Sequence, residues 1–251
     1  MPATPAWPPR SAPRLFVSQP LSAGAAVIID GPQAHYLARV MRVGPGDPLV
    51  LCDDLTGEWS ATVSAAGKRD IALTIGEMLR PREEVPDFIL CAALLKKAAF
   101  DLVLEKATEL GVRRIQPVLT RRSVADKLNL DRARAIVTEA AEQCARTALP
   151  ELAAPVKLDA LLREWPEGRA LLFADEQGGA PAATAFAASP APAALLTGPE
   201  GGFDDTERAA IRAHPAAVAV SLGPRILRGE TAAIAATALW MALAGDWPQA
   251  T

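Results

Sequence analysis

The sequence predicts an α/β protein in two parts, a small β domain followed by a larger domain built on a mostly parallel sheet. At 251 residues the chain is long enough for two hydrophobic cores, and 50% hydrophobic with 22% charged residues is typical of globular proteins. Near the N-terminus, short apolar runs alternating with Ser and Thr indicate strands. Farther on, apolar strands alternate with amphipathic helices, which is the pattern of a parallel α/β sheet.

Several features of the chain exclude other classes of protein. Residues 1–10 are rich in proline and lack the apolar stretch of a signal peptide, so they are interpreted as a tail. The longest nearly apolar run, residues 231–244, is shorter than the ~20 residues that cross a bilayer and indicates a buried helix. Cys52, Cys91 and Cys144 are far apart, with two histidines to complement them, which indicates reduced thiols in a cytoplasmic protein without a metal site or a membrane partner.

The first domain is predicted to combine short strands with one helix. Residues 35–42 form the helix, because Leu37, Val40 and Met41 share one helical face while Arg39 and Arg42 can point elsewhere. A strong turn signal, Gly44-Pro45-Gly46-Asp47-Pro48, separates two of the strands. The strands are predicted at residues 14–17, 26–29, 49–52, 59–64 and 71–75, and they indicate a barrel-like β domain.

A polar segment with two prolines, residues 76–86, separates the two parts and predicts domains at residues 1–78 and 86–251. Gly111 is expected at the C′ position of the first helix beyond this boundary. Strands are predicted at 88–95, 115–119, 170–174, 193–197 and 217–222, and helices at 101–110, 130–149, 158–164, 204–213 and 230–244. Residues 178–194, rich in Pro and Ala, form a connection of no clear class.

Two strand-to-helix segments are the candidates for chemistry. In the first, an apolar strand runs into Thr197-Gly198-Pro199-Glu200-Gly201-Gly202 and then into a helix start, Asp204-Asp205-Thr206-Glu207, that resembles a capping box. Glycines allow positive φ and a close approach of the backbone to a ligand, and ligands of α/β sheets bind at such strand ends. A ligand loop and a tight structural turn fit this segment equally well. The pattern of a Walker phosphate loop is absent.

The second segment, Ser221-Leu222-Gly223-Pro224-Arg225-Ile226-Leu227-Arg228-Gly229-Glu230-Thr231-Ala232, should lie beside the first and opens the last helix. Glu230 and Thr231 are interpreted either as capping residues, since an acidic group complements the helix dipole, or as part of a site. Arg228 is expected to face a cleft, with a surface salt bridge as the alternative.

Together these two segments resemble the RsmE family of SPOUT methyltransferases. Further segments that fit are Lys96-Lys97, residues 105–112, Arg121-Arg122-Ser123, residues 139–146, and the N-terminal stretches at 14–17 and 35–42, so the resemblance covers residues 14–243. One departure is Ala145, which stands where the family pattern has Gly and puts the local backbone geometry in question.

The resemblance implies a PUA-like β-barrel for RNA docking, followed by an α/β domain with a C-terminal trefoil knot that binds S-adenosyl-L-methionine (AdoMet). The family is homodimeric, cytoplasmic and methylates N3 of a uridine in 16S rRNA of the small ribosomal subunit. The implied cofactor-binding residues are Leu196, Thr197, Gly198, Pro199, Glu200, Gly201, Gly202, Leu222, Gly223, Ile226, Leu227, Arg228 and Thr231.

Arg228 and Glu230 are the residues assigned to catalysis. Arg228 is hypothesised to stabilise the uridine oxygen that gains negative charge as N3 loses its proton. The general base stays open, because Glu200 and Glu230 are the nearest ionisable groups and either could instead orient a backbone turn. His35, in the other domain, is interpreted as an RNA-facing or core residue.

Phosphate contacts are predicted from local charge, since the net charge of −3 hides an uneven distribution. Residues 96–146 hold 11 Lys or Arg against 7 Asp or Glu, whereas residues 147–251 hold 7 against 12. The predicted RNA-binding residues are Arg14, Arg39, Arg42, Lys96, Lys97, Arg121, Arg122 and Arg146.

Three alternatives remain open from the sequence. A SPOUT enzyme that acts on tRNA would share the knot but usually not the β domain at the front. A non-catalytic RNA-binding or ribosome-assembly factor would keep the AdoMet pocket without turnover. A nucleotide-binding α/β protein is disfavoured because Walker and dinucleotide motifs are absent.

Overall fold

The structure is a computed structural model that describes residues 11–247. The described chain separates into two compact units. The first runs to Glu84 and includes Ala141–Ala148, and the second comprises Val85–Ala140 and the chain from Leu149 onward. This division differs from the predicted ranges 1–78 and 86–251 in one main respect, which is the grouping of Ala141–Ala148 with the first unit.

The first unit is built on a five-stranded sheet in the order β1-β3-β4-β5-β2, antiparallel except for the β1–β3 pair. Every strand predicted from the alternating pattern is confirmed. β5 is longer than expected and continues through Gly76 to Pro81, because it pairs with the start of β4. The strands are β1 Arg14–Phe16, β2 Ala26–Asp30, β3 Pro48–Cys52, β4 Gly57–Ala66 and β5 Asp70–Pro81.

The predicted helix at 35–42 is replaced by α1, Gly31–His35, and a π-helical turn, Tyr36–Met41. A π-helix has a longer repeat than an α-helix, so side chains three and four residues apart no longer share one face. Leu37 is fully buried in the core, whereas Val40 is 63% exposed and Met41 39% exposed. The predicted apolar face was therefore wrong for Val40 and Met41.

Helix α3, Leu130–Gln143, ends six residues before the predicted limit of 149. Ala145 follows in the left-handed region with φ 62°, and the backbone N–H of Arg146 donates to the carbonyl of Ala141 at 3.0 Å. This is the bond of a Schellman motif, whose C′ position favours glycine. The family pattern with Gly at this position thus has a physical reason, and Ala145 adopts the same backbone at a cost of ~1–2 kcal/mol.

The second unit is built on an eight-stranded parallel sheet in the order β11-β13-β10-β12-β6-β7-β8, with β9 also paired to β7. The five predicted strands are confirmed, and three two-residue strands, β8, β9 and β11, were not predicted. The strands are β6 Phe88–Ala93, β7 Arg114–Leu119, β8 Glu151–Leu152, β9 Val156–Lys157, β10 Ala170–Ala174, β11 Ala180–Pro181, β12 Ala193–Thr197 and β13 Ala217–Ser221.

The second unit also contains helices, and two of their predicted ends are confirmed. Gly111, with φ 92°, ends α2 in the expected C′ position, and Asp204 and Glu207 form a complete capping box at the start of α6. The helices are α2 Lys97–Glu109, α4 Leu158–Arg163, α5 Ala182–Ala187, α6 Asp205–Ala213 and α7 Gly229–Ala244. Helix α5 lies in the Pro- and Ala-rich connection 178–194, for which the sequence predicts no clear class.

Strand β10 lies between β12 and β13, all three parallel, so the segments that follow these strands emerge at one edge of the sheet. That edge is where α/β sheets bind ligands. Among the described residues, no helix is long and apolar enough to span a membrane.

Candidate functional site

A cavity of about 350 Å³ opens at the carboxyl ends of β10, β12 and β13. Three chain segments form its walls, one after each strand, and all belong to the second unit. The lining residues are Ala174, Asp175, Glu176, Gly198, Pro199, Glu200, Gly201, Gly202, Ser221, Leu222, Gly223, Pro224, Arg225, Ile226, Leu227, Gly229 and Ala232.

The segment after β12, residues 198–203, is here called the first glycine loop. The backbone N–H of Lys96 donates to Glu200 Oε1 at 3.0 Å, and Arg122 Nη1 donates to the carbonyl of Gly201 at 3.0 Å. Gly202 adopts φ 66°, and a Cβ there would lie 2.7 Å from Glu176 Oε1. The loop is therefore fixed by its own Glu200 side chain, bonded to the Lys96 backbone, and by the Arg122 side chain, bonded to the loop backbone.

The segment after β13, residues 222–228, is here called the second glycine loop. Gly223 has φ 110°, and its neighbours Pro224 and Arg225 are exposed. Ile226 is 88% exposed. Within residues 11–247, no ion pair or side-chain hydrogen bond involves the guanidinium of Arg225 or Arg228, so both cations face solvent.

The two loops meet where helix α7 begins. Gly229 is buried, and a Cβ at this position would lie 2.7 Å from Leu95 Cδ2 and 3.2 Å from the carbonyl oxygen of Gly198. Arg228 is the N-cap residue with extended backbone, and Glu230 follows in the first turn of α7. The absence of a side chain at position 229 lets the helix start pack directly against the first glycine loop.

Acidic residues after β10 form the third wall. The side chain of Asp175 is fully buried and pairs with Arg208 Nε at 3.1 Å and with Arg212 Nη2 at 2.6 Å, while Glu176 pairs with Arg208. Both acidic residues line the cavity. Sequence reasoning missed them, although acidic residues directly after the predicted strand 170–174 are the signal that strand-end binding would have offered.

Most of the predicted cofactor-binding residues are brought together around the cavity. Nine of them line it, namely Gly198, Pro199, Glu200, Gly201, Gly202, Leu222, Gly223, Ile226 and Leu227. Leu196 and Thr197 are instead buried in β12, with 0% and 2% exposure. Arg228 and Thr231 are exposed residues next to the cavity. A role in cofactor binding stays a prediction for all of these positions.

The predicted RNA-binding residues differ in how available their charges are. In the first unit, Arg14 pairs with Glu58 at 2.8 Å and Arg146 with Glu83 at 3.3 Å, with 18% and 5% of their side chains exposed. Burial lowers the pKa of Arg146, and Glu83 opposes that shift. These contacts argue against phosphate contacts by Arg14 and Arg146, because either would first have to leave its carboxylate.

In the second unit, Arg121 pairs with Asp204 at 2.9 Å and Arg122 donates to Gly201, yet both side chains are exposed. Lys96 and Lys97 are exposed at the start of α2. These four residues can present positive charge to solvent, although Arg121 and Arg122 are partly engaged with the protein.

A basic groove of about 490 Å³ lies on the first unit, lined by Asp30, Gly31, His35, Ala38, Arg39, Lys68 and Arg69. In the described part of the chain, no ion pair involves Arg39, Lys68 or Arg69, and Arg42 is exposed at the end of the π-helical turn. Lys68 and Arg69, in the β4–β5 turn, were missed because only the fold brings them beside Arg39.

The two buried cysteines, Cys52 and Cys91, do not supply a nucleophile at neutral pH. Within residues 11–247, none of the three cysteines forms a disulfide bond. Burial raises the pKa of Cys91 to about 12 and that of Cys52 to about 11. Neither thiol therefore ionises under ordinary conditions.

Comparison with protein families gives two matches. Residues 82–241 match an RNA methyltransferase domain, and residues 29–76 match an RNA methyltransferase PUA domain. The protein named ribosomal RNA small subunit methyltransferase E in Synechocystis sp. is 36% identical over 234 residues, which cover 90% of this chain and 76% of the relative. Its namesake in Mycobacterium bovis is 32% identical, with 89% and 91% coverage.

Solved structures agree with these matches. A protein of Legionella pneumophila in complex with its cofactor SAM has a TM-score of 0.83 at 30% identity, covering 94% of this chain and 99% of that one. A ribosomal RNA small subunit methyltransferase E of Neisseria gonorrhoeae bound to S-adenosyl methionine has a TM-score of 0.84 at 28% identity, with the same coverage. The resemblance drawn from the two glycine-rich segments is confirmed, and the chain belongs to the RNA methyltransferase family that includes ribosomal RNA small subunit methyltransferase E.

Proposed function

We propose that this chain transfers the methyl group of AdoMet to N3 of one uridine in 16S rRNA of the small ribosomal subunit. The observation that carries the proposal is the cavity at the ends of β10, β12 and β13, in a chain that belongs to an RNA methyltransferase family. Relatives of the same fold were solved with the methyl donor bound.

The cavity residues fit AdoMet. A volume of about 350 Å³ falls in the range of small-molecule sites, ~300–1,000 Å³. Leu222 and Leu227 offer apolar side chains for the adenine, and the glycines leave backbone N–H and C=O groups accessible for the polar edges. Glu176, although paired with Arg208, adds carboxylate oxygens on the wall that can accept hydrogen bonds from a ligand. When bound there, AdoMet supplies a methyl group made electrophilic by its sulfonium.

Arg228 and Glu230 are the residues to which we assign the chemistry. Uridine N3 becomes a good nucleophile only after its proton leaves, and the charge then spreads to the neighbouring carbonyl oxygens. The Arg228 guanidinium, which joins no ion pair within residues 11–247, lies at the N-terminus of α7 and stabilises that charge. Glu230, half-buried in the same helical turn, is the group we assign to accept the N3 proton.

Glu200 is less suited to proton transfer than the sequence alone suggested. Its carboxylate accepts the backbone N–H of Lys96, which holds the first glycine loop against the start of α2. This contact occupies Glu200 Oε1 and ties the side chain to the protein instead of leaving it free to reach a substrate. We therefore assign Glu200 to loop positioning.

RNA binding is proposed to use charges on both units. On the first unit, the contacts are Arg39, Lys68 and Arg69, which line the basic groove, and the exposed Arg42 at the end of the π-helical turn. On the second unit, Lys96, Lys97, Arg121 and Arg122 present further positive charge. Binding should weaken as salt concentration rises, because each phosphate contact releases counterions.

We further propose a homodimer, a C-terminal trefoil knot, a closed PUA-like barrel and a cytoplasmic location, as the family resemblance implies. Support for the dimer comes from an apolar groove beside the second glycine loop, lined by α5 and α7 residues such as Ala182, Ala235 and Leu239. A C2 interface on such a surface would place two cavities near one symmetry axis. Light scattering on the purified protein tests this, and a monomeric mass would refute it.

The experiment for the proposed reaction combines purified protein, labelled AdoMet and small ribosomal subunits from a strain that lacks its own enzyme. Digestion and mass spectrometry should reveal 3-methyluridine at one position. Methyl incorporation into tRNA alone would favour a tRNA enzyme. AdoMet binding without incorporation into subunits or free rRNA would favour a non-catalytic factor.

A further inference from the structure

Ile226 occupies an unusual position for a large apolar side chain. It is 88% exposed, whereas its neighbour Leu227 is partly buried. Isoleucine is among the residues most often buried, and single exposed apolar residues are common, so exposure alone carries no conclusion. The position of Ile226 does carry a conclusion, because this residue lies in the loop that forms one wall of the cavity.

Two solvent-facing arginines flank this side chain. Arg225 precedes Ile226 directly and Arg228 follows two residues later, both exposed, and within residues 11–247 neither guanidinium joins an ion pair. The first glycine loop differs, since the nearby guanidiniums of Arg121 and Arg122 are bonded to Asp204 and to Gly201. The exposed Ile226 side chain therefore lies between two arginines. This arrangement is complementary to RNA, because the apolar side chain can contact a base while the arginines contact the neighbouring phosphates.

The proposed reaction requires that N3 of the uridine be exposed, and an apolar side chain such as Ile226 can help to expose it. N3 lies on the Watson–Crick edge of uridine and is hidden when the base is paired or crowded by its stacked neighbours. Enzymes that modify a base take it out of the stack, and apolar side chains such as Ile, Leu and Phe are inserted between base steps by proteins that unstack nucleic acid.

We propose that Ile226 is an RNA wedge, inserted beside the target uridine to hold that base out of its stack, with Arg225 holding the adjacent phosphate. The inference rests on the proposed function and adds a positioning residue to it. Arg228 keeps its assignment at the uridine oxygen. This role revises the sequence-based expectation that the Ile226 side chain binds the cofactor.

The test compares Ile226→Ala and Ile226→Leu with the wild type. A matched control is Ile28→Ala, which removes the same side chain from a 64% exposed position on β2 of the first unit. Three quantities are measured for each protein, namely AdoMet Kd by calorimetry, kcat/KM for methyl transfer to small subunits, and mass by light scattering.

The wedge predicts that Ile226→Ala lowers kcat/KM at least 10-fold while AdoMet Kd stays within about 2-fold and the mass is unchanged. Ile226→Leu should recover most of the activity, and Ile28→Ala should behave as wild type. Weaker AdoMet binding by Ile226→Ala would make Ile226 a cover for the cofactor and would overturn the proposal. A lower mass, or unchanged methyl transfer, would overturn it as well. A wild-type protein that transfers no methyl group would instead refute the proposed function itself.

Discussion

The two glycine loops of the second unit follow neighbouring strands and line one cavity, yet they are held in opposite ways. The first is fixed by Glu200 on the Lys96 backbone and by Arg122 on the Gly201 carbonyl. The second carries Arg225, Ile226 and Arg228 outward, and no ion pair in the described chain engages its two arginines.

This difference suggests that the two loops bind different ligands. A small cofactor that must be bound in one geometry is best served by a rigid backbone, because preorganisation lowers the entropy cost of binding. A large RNA needs side chains that are free to reach it. We therefore expect changes in the first loop to affect mainly AdoMet affinity, and changes in the second loop to affect mainly methyl transfer.

The largest effect is expected from Arg228→Ala. If Arg228 stabilises the developing charge on uridine, its loss should lower kcat by about 10²–10³-fold, as for other oxyanion donors, with AdoMet Kd nearly unchanged. Methyl-transfer assays and calorimetry on the same preparation measure both. Arg163→Ala, which removes another exposed arginine, is the control. If a loss of AdoMet affinity accounted for the whole loss of activity, Arg228 would act on the cofactor, and the assignment of the second loop to RNA would be contradicted.

Gly202→Ala should weaken AdoMet binding by about 10-fold. An alanine at φ 66° is strained by ~1–2 kcal/mol, and its Cβ would meet Glu176, which cannot move away freely because Arg208 holds it. Calorimetry measures the change. Gly44→Ala serves as control, because φ there is ordinary and nothing lies within 4 Å of the added Cβ. Wild-type affinity in Gly202→Ala would show that the first loop is not fixed as described.

Asp204→Ala should lower the melting temperature by about 2–4 °C at pH 7, because it removes the capping box that ends the first loop. The backbone N–H of Glu207, and then Arg121, hold the pKa of Asp204 below its usual value. The stabilisation is therefore present above the ordinary aspartate pKa and is lost as pH falls through the lowered one. Melting curves of both proteins should converge in acid.

The control for this prediction is Asp205→Ala, whose side chain is 96% exposed and does not cap the helix. Its melting temperature should stay close to that of the wild type. Equal losses in Asp204→Ala and Asp205→Ala would mean that charge near the helix dipole, and not the cap, stabilises this end of the loop.

The smallest effect is expected from Arg122→Ala, which distinguishes loop anchoring from RNA contact. Loss of the 3.0 Å hydrogen bond to Gly201 should weaken AdoMet binding by about 3-fold. A role in phosphate contact alone would leave AdoMet affinity unchanged and reduce the salt dependence of RNA binding by about one phosphate. Isothermal titrations with AdoMet, and RNA binding at several salt concentrations, separate the two.

Features encoded in local sequence were predictable. The parallel strands, the C′ glycine at 111 and the capping box at Asp204 each depend on residues close together in the chain. The two glycine loops were placed side by side because parallel strands end at one edge of a sheet. The Schellman position of Ala145 was signalled only as a departure from a family pattern, and the structure supplies its backbone reason.

Features that depend on distant partners were not predictable. The grouping of Ala141–Ala148 with the first unit depends on contacts such as the Thr147 hydroxyl accepting the Glu83 N–H at 2.8 Å. The burial of Arg14 depends on Glu58, far along the chain. The cavity wall formed by Asp175 and Glu176 requires Arg208 and Arg212 from α6. Sequence patterns give residue types and periods, and they do not give such pairings.

The most direct test of the account is a crystal structure of the protein grown with AdoMet. The account predicts the cofactor in the cavity between the two glycine loops, with polar contacts to the backbone of residues 198–202 and 222–227, and with Arg228 left facing solvent. Cofactor bound at another surface, or Arg228 bonded to the cofactor carboxylate, would contradict the assignment of the first loop to the methyl donor and of the second to RNA.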